Sequence, residues 1–344
     1  MSDVVPHKQA LRRQGRLRRF QAAPKLITFT PTEGAKVTFA DGNAGRATCL
    51  GCHDAPCMEL EAQPSLDDEL GTFPSDPSRD VCPTDAINWD ATGGMPTIEA
   101  ESCVGCGLCA VRCPYGAISL SPDGIAVVET NDPDGITAQV EEAAKPHVMT
   151  VREGALGSIT ERFARDLPAV VENLNDTQTT RLVRNMLAMC GVVANMRRKG
   201  DTNIRMDGLL RFDSGQIGVV ELETGKEVLE SPRALLEDIA VLHNRFGMDV
   251  ADIVPVSMIG KLPNVRTEYY QVIDDIKEVL NIECRTITLG ALCLLMWHFR
   301  TLAELQGELF STTTGDTDLY PSLAQLIPDL PTTEPYPGAY RPPK

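Results

Sequence analysis

The chain has 344 residues, 42% of them hydrophobic, and a formal net charge of −16. That length is sufficient for two domains that each bury a core of their own. The negative charge argues against general affinity for nucleic acid, and no apolar run approaches the roughly 18 residues of a membrane-spanning helix. The N-terminal segment lacks the apolar stretch and cleavage site of a secretory signal, so we expect a cytoplasmic protein without membrane contacts.

Positive charge is concentrated in an N-terminal arm, which we place at residues 1–25. Residues 4–32 contain seven Lys and Arg residues and no acidic residue. Such an arm can bind a phosphate backbone or an acidic partner, and it can equally be a solvated tail. The sequence alone leaves both interpretations open.

Eight of the eleven cysteines lie between positions 49 and 113, at spacings typical of metal ligands rather than of a disulfide framework. Cys103, Cys106, Cys109 and Cys113 form a run with spacers of two, two and three residues, and Pro114 follows. This pattern predicts an iron–sulfur cluster in which three thiolates bind one cube and the fourth cysteine reaches another. A second set of ligands must therefore exist. The remaining cysteines of this region are Cys49, Cys52, Cys57 and Cys82.

Each Cys-Pro pair is followed by a segment that predicts a short β-hairpin. The segment after Cys82 turns at residues 92–94, and the segment after Cys113 turns at residues 122–124. Alternation of residue types predicts a further pair of strands over residues 26–44. The repeat of cysteine loop, Cys-Pro and hairpin indicates a pseudo-symmetric module for two clusters.

Over residues 26–130 these motifs resemble the bacterial dicluster ferredoxins. The resemblance implies an α+β domain that binds two [4Fe-4S] clusters and transfers electrons. It also implies crossed ligation, in which each proline-flanked cysteine completes the cluster of the other motif. One cluster would be held by Cys49, Cys52, Cys57 and Cys113, and the other by Cys103, Cys106, Cys109 and Cys82.

The first motif departs from the family pattern in two ways. Four residues rather than two separate Cys52 from Cys57, and an insertion at residues 58–81 displaces Cys82 along the chain. The insertion holds seven acidic residues and one Arg, which predicts an exposed loop that is either solvated or used to dock a partner. The widened spacing leaves the type of the cluster at this motif open.

Beyond the ferredoxin-like region we place a helical and α/β domain at residues 131–310. Helical periodicity covers residues 155–173, with a break expected at Pro168, and residues 176–198. Two strands over residues 203–223 and then alternating helices and strands follow. This order predicts an α/β fold class with a central sheet flanked by helices.

The final segment, residues 311–344, is rich in Pro and Thr. Residues 321–344 alone contain seven prolines and show little periodicity. We expect an extended tail that packs along the preceding domain or along a partner.

Acidic side chains alternate along the second strand of the α/β domain. Glu221 and Glu223 lie on one face of that strand, and Asp207 lies on the neighbouring strand. Carboxylate oxygens are the ligands that Mg²⁺ prefers, so Asp207 and Glu221 are candidate metal ligands. The alternative is a solvated strand face without a ligand.

The order of helix, hairpin, helix and strand over residues 176–306 resembles the PD-(D/E)xK restriction-endonuclease-like superfamily. The resemblance implies a Mg²⁺-dependent phosphodiesterase or endonuclease with Asp207, Glu221 and Glu223 as catalytic residues. Glu223 stands where that family usually has Lys, and Lys226 and Lys261 are candidates for a displaced lysine. A domain of this kind can also keep its fold after losing catalysis.

Three functions follow from these patterns. The favoured one is electron transfer to a docked redox enzyme or complex subunit, because the cysteine motif is the most specific signal in the chain. The second is a DNA-processing or defence nuclease whose clusters are structural or redox-sensing. Its nucleic-acid contacts would come from the N-terminal arm and from Arg197, Arg198 and Lys199. In the third, the C-terminal domain is a scaffold for assembly.

Overall fold

The structure, a computed structural model, describes residues 56–60, 73–90, 95–113, 118–120, 126–128, 160–225, 228–302 and 309–343. The chain divides into two compact units. The cysteine unit comprises Met1–Ala62 and Arg79–Phe163, and the sheet unit comprises Gln63–Ser78 and Ala164–Lys344. This division assigns part of the acidic insertion to the sheet unit.

The cysteine unit is built from very short elements. They are β1 (Ile87–Asp90), β2 (Met95–Ile98), α1 (Leu108–Arg112), β3 (Ile118–Leu120) and β4 (Ala126–Val128). β1 pairs with β2 and β3 pairs with β4, both antiparallel, which confirms the hairpins predicted after the two Cys-Pro pairs. The strands expected over residues 26–44 lie outside the described residues.

Along the chain of the sheet unit, helices come before, between and after the strands. Its helices are α2 (Thr160–Asn173), α3 (Asp176–Met189), α4 (Ser231–Phe246), α5 (Glu268–Leu280), α6 (Leu289–Trp297) and α7 (Tyr320–Leu326). Its strands are β5 (Val193–Met196), β6 (Gly208–Arg211), β7 (Ile217–Glu223), β8 (Ile253–Ile259) and β9 (Arg285–Thr288). Short 3-10 turns cover Val228–Glu230 and Val250–Asp252.

One five-stranded sheet organises this unit, in the order β5-β6-β7-β8-β9. The first three strands form an antiparallel meander, and the turn between β6 and β7 contains Gly215 at φ 85°. β7, β8 and β9 run parallel, so each pair needs a crossover connection, which α4 and α5 provide. The unit therefore has the mixed α/β architecture, with a central sheet flanked by helices, that the sequence predicts.

The core of the sheet unit forms where α4 covers the meander. Every residue of β8 is buried, as expected for a central strand with both faces covered. One apolar cluster joins residues from strands, helix α4 and the insertion: Phe73, Met206, Leu209, Ile217, Val219, Leu235, Ile239, Leu242 and Ile253. Burial of this size supports an independently stable domain.

Strand β5 corrects the helix that we expected over residues 176–198. The helix ends at Met189, and Gly191 takes a left-handed conformation at φ 92° that turns the chain. The following residues, from Val193, pair with β6 as the first strand of the sheet. The β-branched Val192 and Val193 favour the strand over further helix. The expected break at Pro168 is also absent, since α2 continues through it.

The insertion and the tail both pack within the sheet unit. Phe73 is buried in the apolar cluster, and the Asp76 backbone N–H donates to the Met196 carbonyl over 2.9 Å. The part of the insertion around Phe73 is therefore not exposed, because an aromatic anchor and strand contacts outweigh solvation; residues 61–72 of the predicted loop lie outside the described residues. In the tail, Tyr336 and Tyr340 are buried, so the tail packs along its own domain.

Candidate iron–sulfur centre

Four cysteines of the cysteine unit surround one cavity. Cys82, Cys103, Cys106 and Cys109 line the same partly open cavity. The other lining residues are apolar or glycine: Ala86, Ile87, Ile98, Val104, Gly105, Gly107, Leu108 and Leu120. The structure thus brings together a cysteine from the start of the first hairpin and three from a loop about twenty residues later.

Glycines shape the loop that carries three of these thiols. Gly105 and Gly107 have φ values of 70° and 77°, a left-handed conformation that costs glycine little and strains other residues. Alternating left- and right-handed residues turn successive backbone N–H groups inward, which favours an anionic group in the concavity. The Cys-Val-Gly-Cys-Gly-Leu-Cys string therefore supplies both the thiols and the backbone shape that a cluster needs.

Hydrogen bonds also reach the sulfur of Cys82. The Ala86 backbone N–H donates to Cys82 Sγ over 3.2 Å, and the Thr84 hydroxyl lies 3.5 Å from the same sulfur. Asp85, at φ 57°, turns the chain between these two residues. Hydrogen bonds to a thiolate stabilise its negative charge and tune the potential of an iron–sulfur cluster.

The electrostatics of the cavity favour cationic occupants. Burial raises the pKa of the Cys106 thiol above its usual value, and the nearby Cys82 thiol raises it further. The pKa of Cys109 is raised in the same way, by burial and then by Cys106 and Cys82. Four thiolates cannot coexist here without positive charge between them, and iron supplies that charge on binding.

The arrangement of the four thiols is the one that a cluster needs. They surround one apolar cavity, as expected when each thiolate binds a different corner of an iron–sulfur cube. The residues present therefore fit an iron–sulfur cluster.

Two cysteines of the other predicted ligand set are also described. Cys57 and Cys113 are both buried, and Cys113 is close enough to Cys109 to raise the pKa of that thiol. Their two predicted co-ligands, Cys49 and Cys52, lie outside the described residues.

Of the predicted carboxylates of the sheet unit, Asp207 and Glu221 lie close enough to interact, and Asp207 and Glu223 already accept hydrogen bonds. Asp207 accepts from Arg197 Nη2 over 2.9 Å and from the Leu222 backbone N–H over 3.0 Å. Glu223 accepts from the backbone N–H of Gly225 over 2.6 Å. Mg²⁺ binding at this place remains a prediction.

Asp238, which the sequence analysis missed, joins this cluster from helix α4. Its side chain is fully buried, and Arg205 Nε lies 3.3 Å from Asp238 Oδ1. Burial, a hydrogen bond to Asp238 and the charge of Asp207 raise the pKa of Glu221 to about 9. The signal was present in the sequence, because Asp238 occupies the apolar stripe of α4 defined by Leu235, Ile239 and Leu242.

The basic run after β5 is paired with acidic side chains of its own unit. Arg197 pairs with Asp207, Arg198 Nη2 lies 3.8 Å from Asp201, and Lys199 contacts Asp176. These residues follow a strand rather than ending a helix, as we had expected. Of the two candidate lysines, Lys226 lies outside the described residues and Lys261 follows the end of β8.

Helices in the described part of the chain are too short or too polar to cross a bilayer, and none qualifies as a transmembrane segment.

Comparison with known proteins points to the same part of the chain. The family model of the LdpA Fe-S cluster-binding domain matches residues 74–122. An uncharacterised ferredoxin of Methanocaldococcus jannaschii is 34% identical over 70 residues, which are 20% of this chain and 31% of that protein. No solved structure matches the chain significantly.

Two further relatives are named as electron carriers or redox subunits. The electron transport protein HydN of Escherichia coli is 30% identical over 102 residues, 29% of this chain and 43% of that protein. The formate dehydrogenase iron-sulfur subunit of Wolinella succinogenes is 29% identical over 94 residues, 26% of this chain and 36% of that protein. The chain thus spans less than half the length of these relatives.

The chain therefore contains an iron–sulfur cluster-binding region of the ferredoxin type. The matched residues 74–122 include all four cysteines that line the cavity. The comparisons give no support to a restriction-endonuclease-like assignment for the sheet unit.

Proposed function

We propose that this protein binds two [4Fe-4S] clusters and passes single electrons to a docked partner enzyme. The observation that carries the proposal is the arrangement of Cys82, Cys103, Cys106 and Cys109 around one apolar cavity. Thiolates with these spacers and an apolar surrounding are suited to a cluster that changes its charge by one electron.

The two clusters would be ligated in the crossed manner. Cys103, Cys106 and Cys109 with Cys82 would hold one cluster, and Cys49, Cys52 and Cys57 with Cys113 the other. The meeting of Cys82 with the loop of the later motif supports the first set, because the two segments are distant in sequence. The burial of both Cys57 and Cys113 supports the second.

Electron exchange requires a cluster near the protein surface. Cys82, Cys103 and Cys109 are each partly exposed, whereas Cys106 is buried. Electrons would therefore enter and leave on the side of the cavity where these three residues are partly exposed. Cys190, Cys284 and Cys293 are buried outside any disulfide of the described residues, which is compatible with the reducing cytoplasm that we expect for this protein.

The partner would be a protein with a basic docking surface. The chain carries a net charge of −16, and opposite charge accelerates and orients the docking of redox partners. HydN and the formate dehydrogenase subunit are named as an electron carrier and as a subunit of a redox enzyme. We propose the same class of partner, a redox enzyme or a complex subunit.

Anaerobic purification tests this function directly. Iron and acid-labile sulfide would be measured per chain, and the reduced protein would be followed by low-temperature electron paramagnetic resonance. We expect about eight iron and eight sulfide per chain, and reoxidation of the reduced protein by a one-electron acceptor. Clusters that dithionite cannot reduce would contradict the electron-transfer role while leaving cluster binding intact.

The second hypothesis, a Mg²⁺-dependent nuclease, is supported by the proximity of Asp207 and Glu221. Its test is the cleavage of plasmid and linear DNA with Mg²⁺ or Mn²⁺, comparing the wild-type protein with Asp207→Ala. Intact DNA in every reaction would exclude the nuclease and leave the sheet unit as a scaffold.

A further inference from the structure

Arg112 is a buried charged residue inside the cysteine motif. It is the last residue of helix α1, between Cys109 and Cys113, and only 4% of its surface is exposed. Burying a guanidinium is costly unless it is well hydrogen-bonded, so its position requires an explanation. Neither cysteine spacing nor the Cys-Pro pair calls for Arg here.

The guanidinium bonds to the backbone on both sides of Cys57. Arg112 Nε donates to the Pro56 carbonyl over 2.6 Å, and Arg112 Nη2 donates to the Glu59 carbonyl over 3.3 Å. The Pro56 carbonyl belongs to the peptide bond that joins Pro56 to Cys57. Because Arg112 is also covalently joined to Cys113, one side chain ties Cys57 and Cys113 together.

The same turn is held from its other side by a second arginine. Arg79 Nη1 lies 3.3 Å from the buried carboxylate of Glu59, and Arg79 Nε donates to the Leu60 carbonyl over 2.8 Å. Backbone bridging between Glu59 and Asp80 closes the base of the insertion. The turn after Cys57 is therefore fixed by charged hydrogen bonds. In sequence this turn directly follows the widened spacer between Cys52 and Cys57.

We propose that Arg112 is the positioning residue of the cluster ligated by Cys57 and Cys113, and that its buried charge raises the reduction potential of that cluster. This inference rests on the two-cluster function proposed above.

The effect on potential follows from simple electrostatics. One electron from dithionite reduces one cluster and makes it more negative by one charge, while Arg112 stays protonated throughout. A nearby positive charge stabilises the reduced cluster, and it acts strongly because a buried charge is poorly screened by solvent. Removing the charge must therefore make reduction of this cluster harder.

The test is a redox titration of the full-length protein, followed by electron paramagnetic resonance, with iron counted per chain. Arg112→Gln keeps an N–H donor without the charge, and Arg112→Lys keeps the charge without the paired donors. Arg165→Gln, whose parent side chain is 63% exposed in the sheet unit, is the matched control. We expect Arg112→Gln to lower the midpoint potential of one of the two transitions by at least about 59 mV, which is a tenfold shift toward the oxidised cluster. Arg112→Lys should lower that potential less.

The possible outcomes separate the two proposals. Eight iron per wild-type chain with unchanged transitions in both Arg112 variants would overturn this inference alone. Four iron per wild-type chain would overturn the two-cluster function and this inference with it. Selective loss of four iron in Arg112→Gln, with eight retained in Arg112→Lys, would support the positioning role. Loss of all iron in both Arg112 variants would overturn it, since Arg112 would then act on the whole unit.

Discussion

The two units of this chain are stabilised in different ways. The strands of the cysteine unit have three or four residues and its described helix has five, whereas the sheet unit has helices of up to 16 residues around a five-stranded sheet. Short hairpins bury too little apolar surface to be stable alone, and small domains often depend on bound metal. From this difference we predict that the cysteine unit needs bound iron–sulfur for folding and that the sheet unit does not.

Removal of iron should separate the units most sharply. We expect anaerobic chelation to unfold the cysteine unit while the sheet unit stays folded, because metal binding supplies folding free energy that the short elements of the cysteine unit lack. Hydrogen–deuterium exchange read by segment would show loss of protection in residues 95–113 and continued protection in β8. Equal loss of protection in both segments would contradict the comparison.

Substitution of one ligand should have the next largest effect. Cys106 is buried and lines the cavity, so Cys106→Ser should remove one cluster, about four of eight iron per chain. The measurement is iron and sulfide content with the visible absorption spectrum.

The matched control for this substitution is Cys190→Ala, which removes a buried thiol from the sheet unit. It should keep all the iron. Full iron content in Cys106→Ser would show that this thiol is not a ligand.

A core substitution in the sheet unit should do the reverse. Leu209 is fully buried in the apolar cluster, so Leu209→Ala should lower the free energy of unfolding by about 2–5 kcal/mol. Iron content of the folded protein should not change. Urea unfolding followed by circular dichroism measures the free energy of unfolding.

Val279→Ala is the control, because Val279 is 77% exposed. It should change stability by less than about 0.5 kcal/mol. If the Leu209→Ala protein loses iron under conditions in which it is fully folded, the two units are not independent.

The pH dependence of stability should show the smallest effect. The pKa of Glu221 is raised from 4.5 to about 9, so the folded protein holds a proton that the unfolded chain releases between these values. Stability therefore falls as pH rises through this window. Glu221→Gln should flatten the dependence, and the burial of Asp238 would leave part of it.

Urea midpoints at pH 5, 7 and 9 measure this difference. Glu230→Gln, whose parent side chain is 65% exposed, should keep the wild-type dependence. A wild-type midpoint that rises across this range would contradict the buried state of Glu221.

Local patterns predicted the parts of the fold that depend on nearby residues. Strands β6 and β7 lie within the two strands expected over residues 203–223, and both hairpins after the Cys-Pro pairs are present. Strand β5 was missed because the residues before it follow a helical pattern, which we expected to continue. The helix in fact ends where Gly191 turns the chain. Whether such a segment becomes a strand depends on its pairing with β6, which lies further along the sequence.

The candidate site, like the fold, was predictable only where it depends on local sequence patterns. The resemblance to the dicluster ferredoxins led us to expect Cys82 beside Cys103, Cys106 and Cys109, and these four residues line one cavity. The resemblance did not predict Arg112, whose role depends on a contact with Pro56 across 56 positions of sequence. Asp238 was not predicted either, because its place in the apolar stripe of α4 indicates burial but not its hydrogen bond to Glu221, which requires α4 to pack on β7.

The central claim is that the cysteine unit holds redox-active iron–sulfur clusters. Low-temperature electron paramagnetic resonance of the anaerobically purified, dithionite-reduced protein tests it most directly, with iron and sulfide counted in the same sample. The account predicts the signal of reduced [4Fe-4S] clusters with about eight iron and eight sulfide per chain. A protein that contains no iron after anaerobic purification and reconstitution, and gives no such signal, would contradict it.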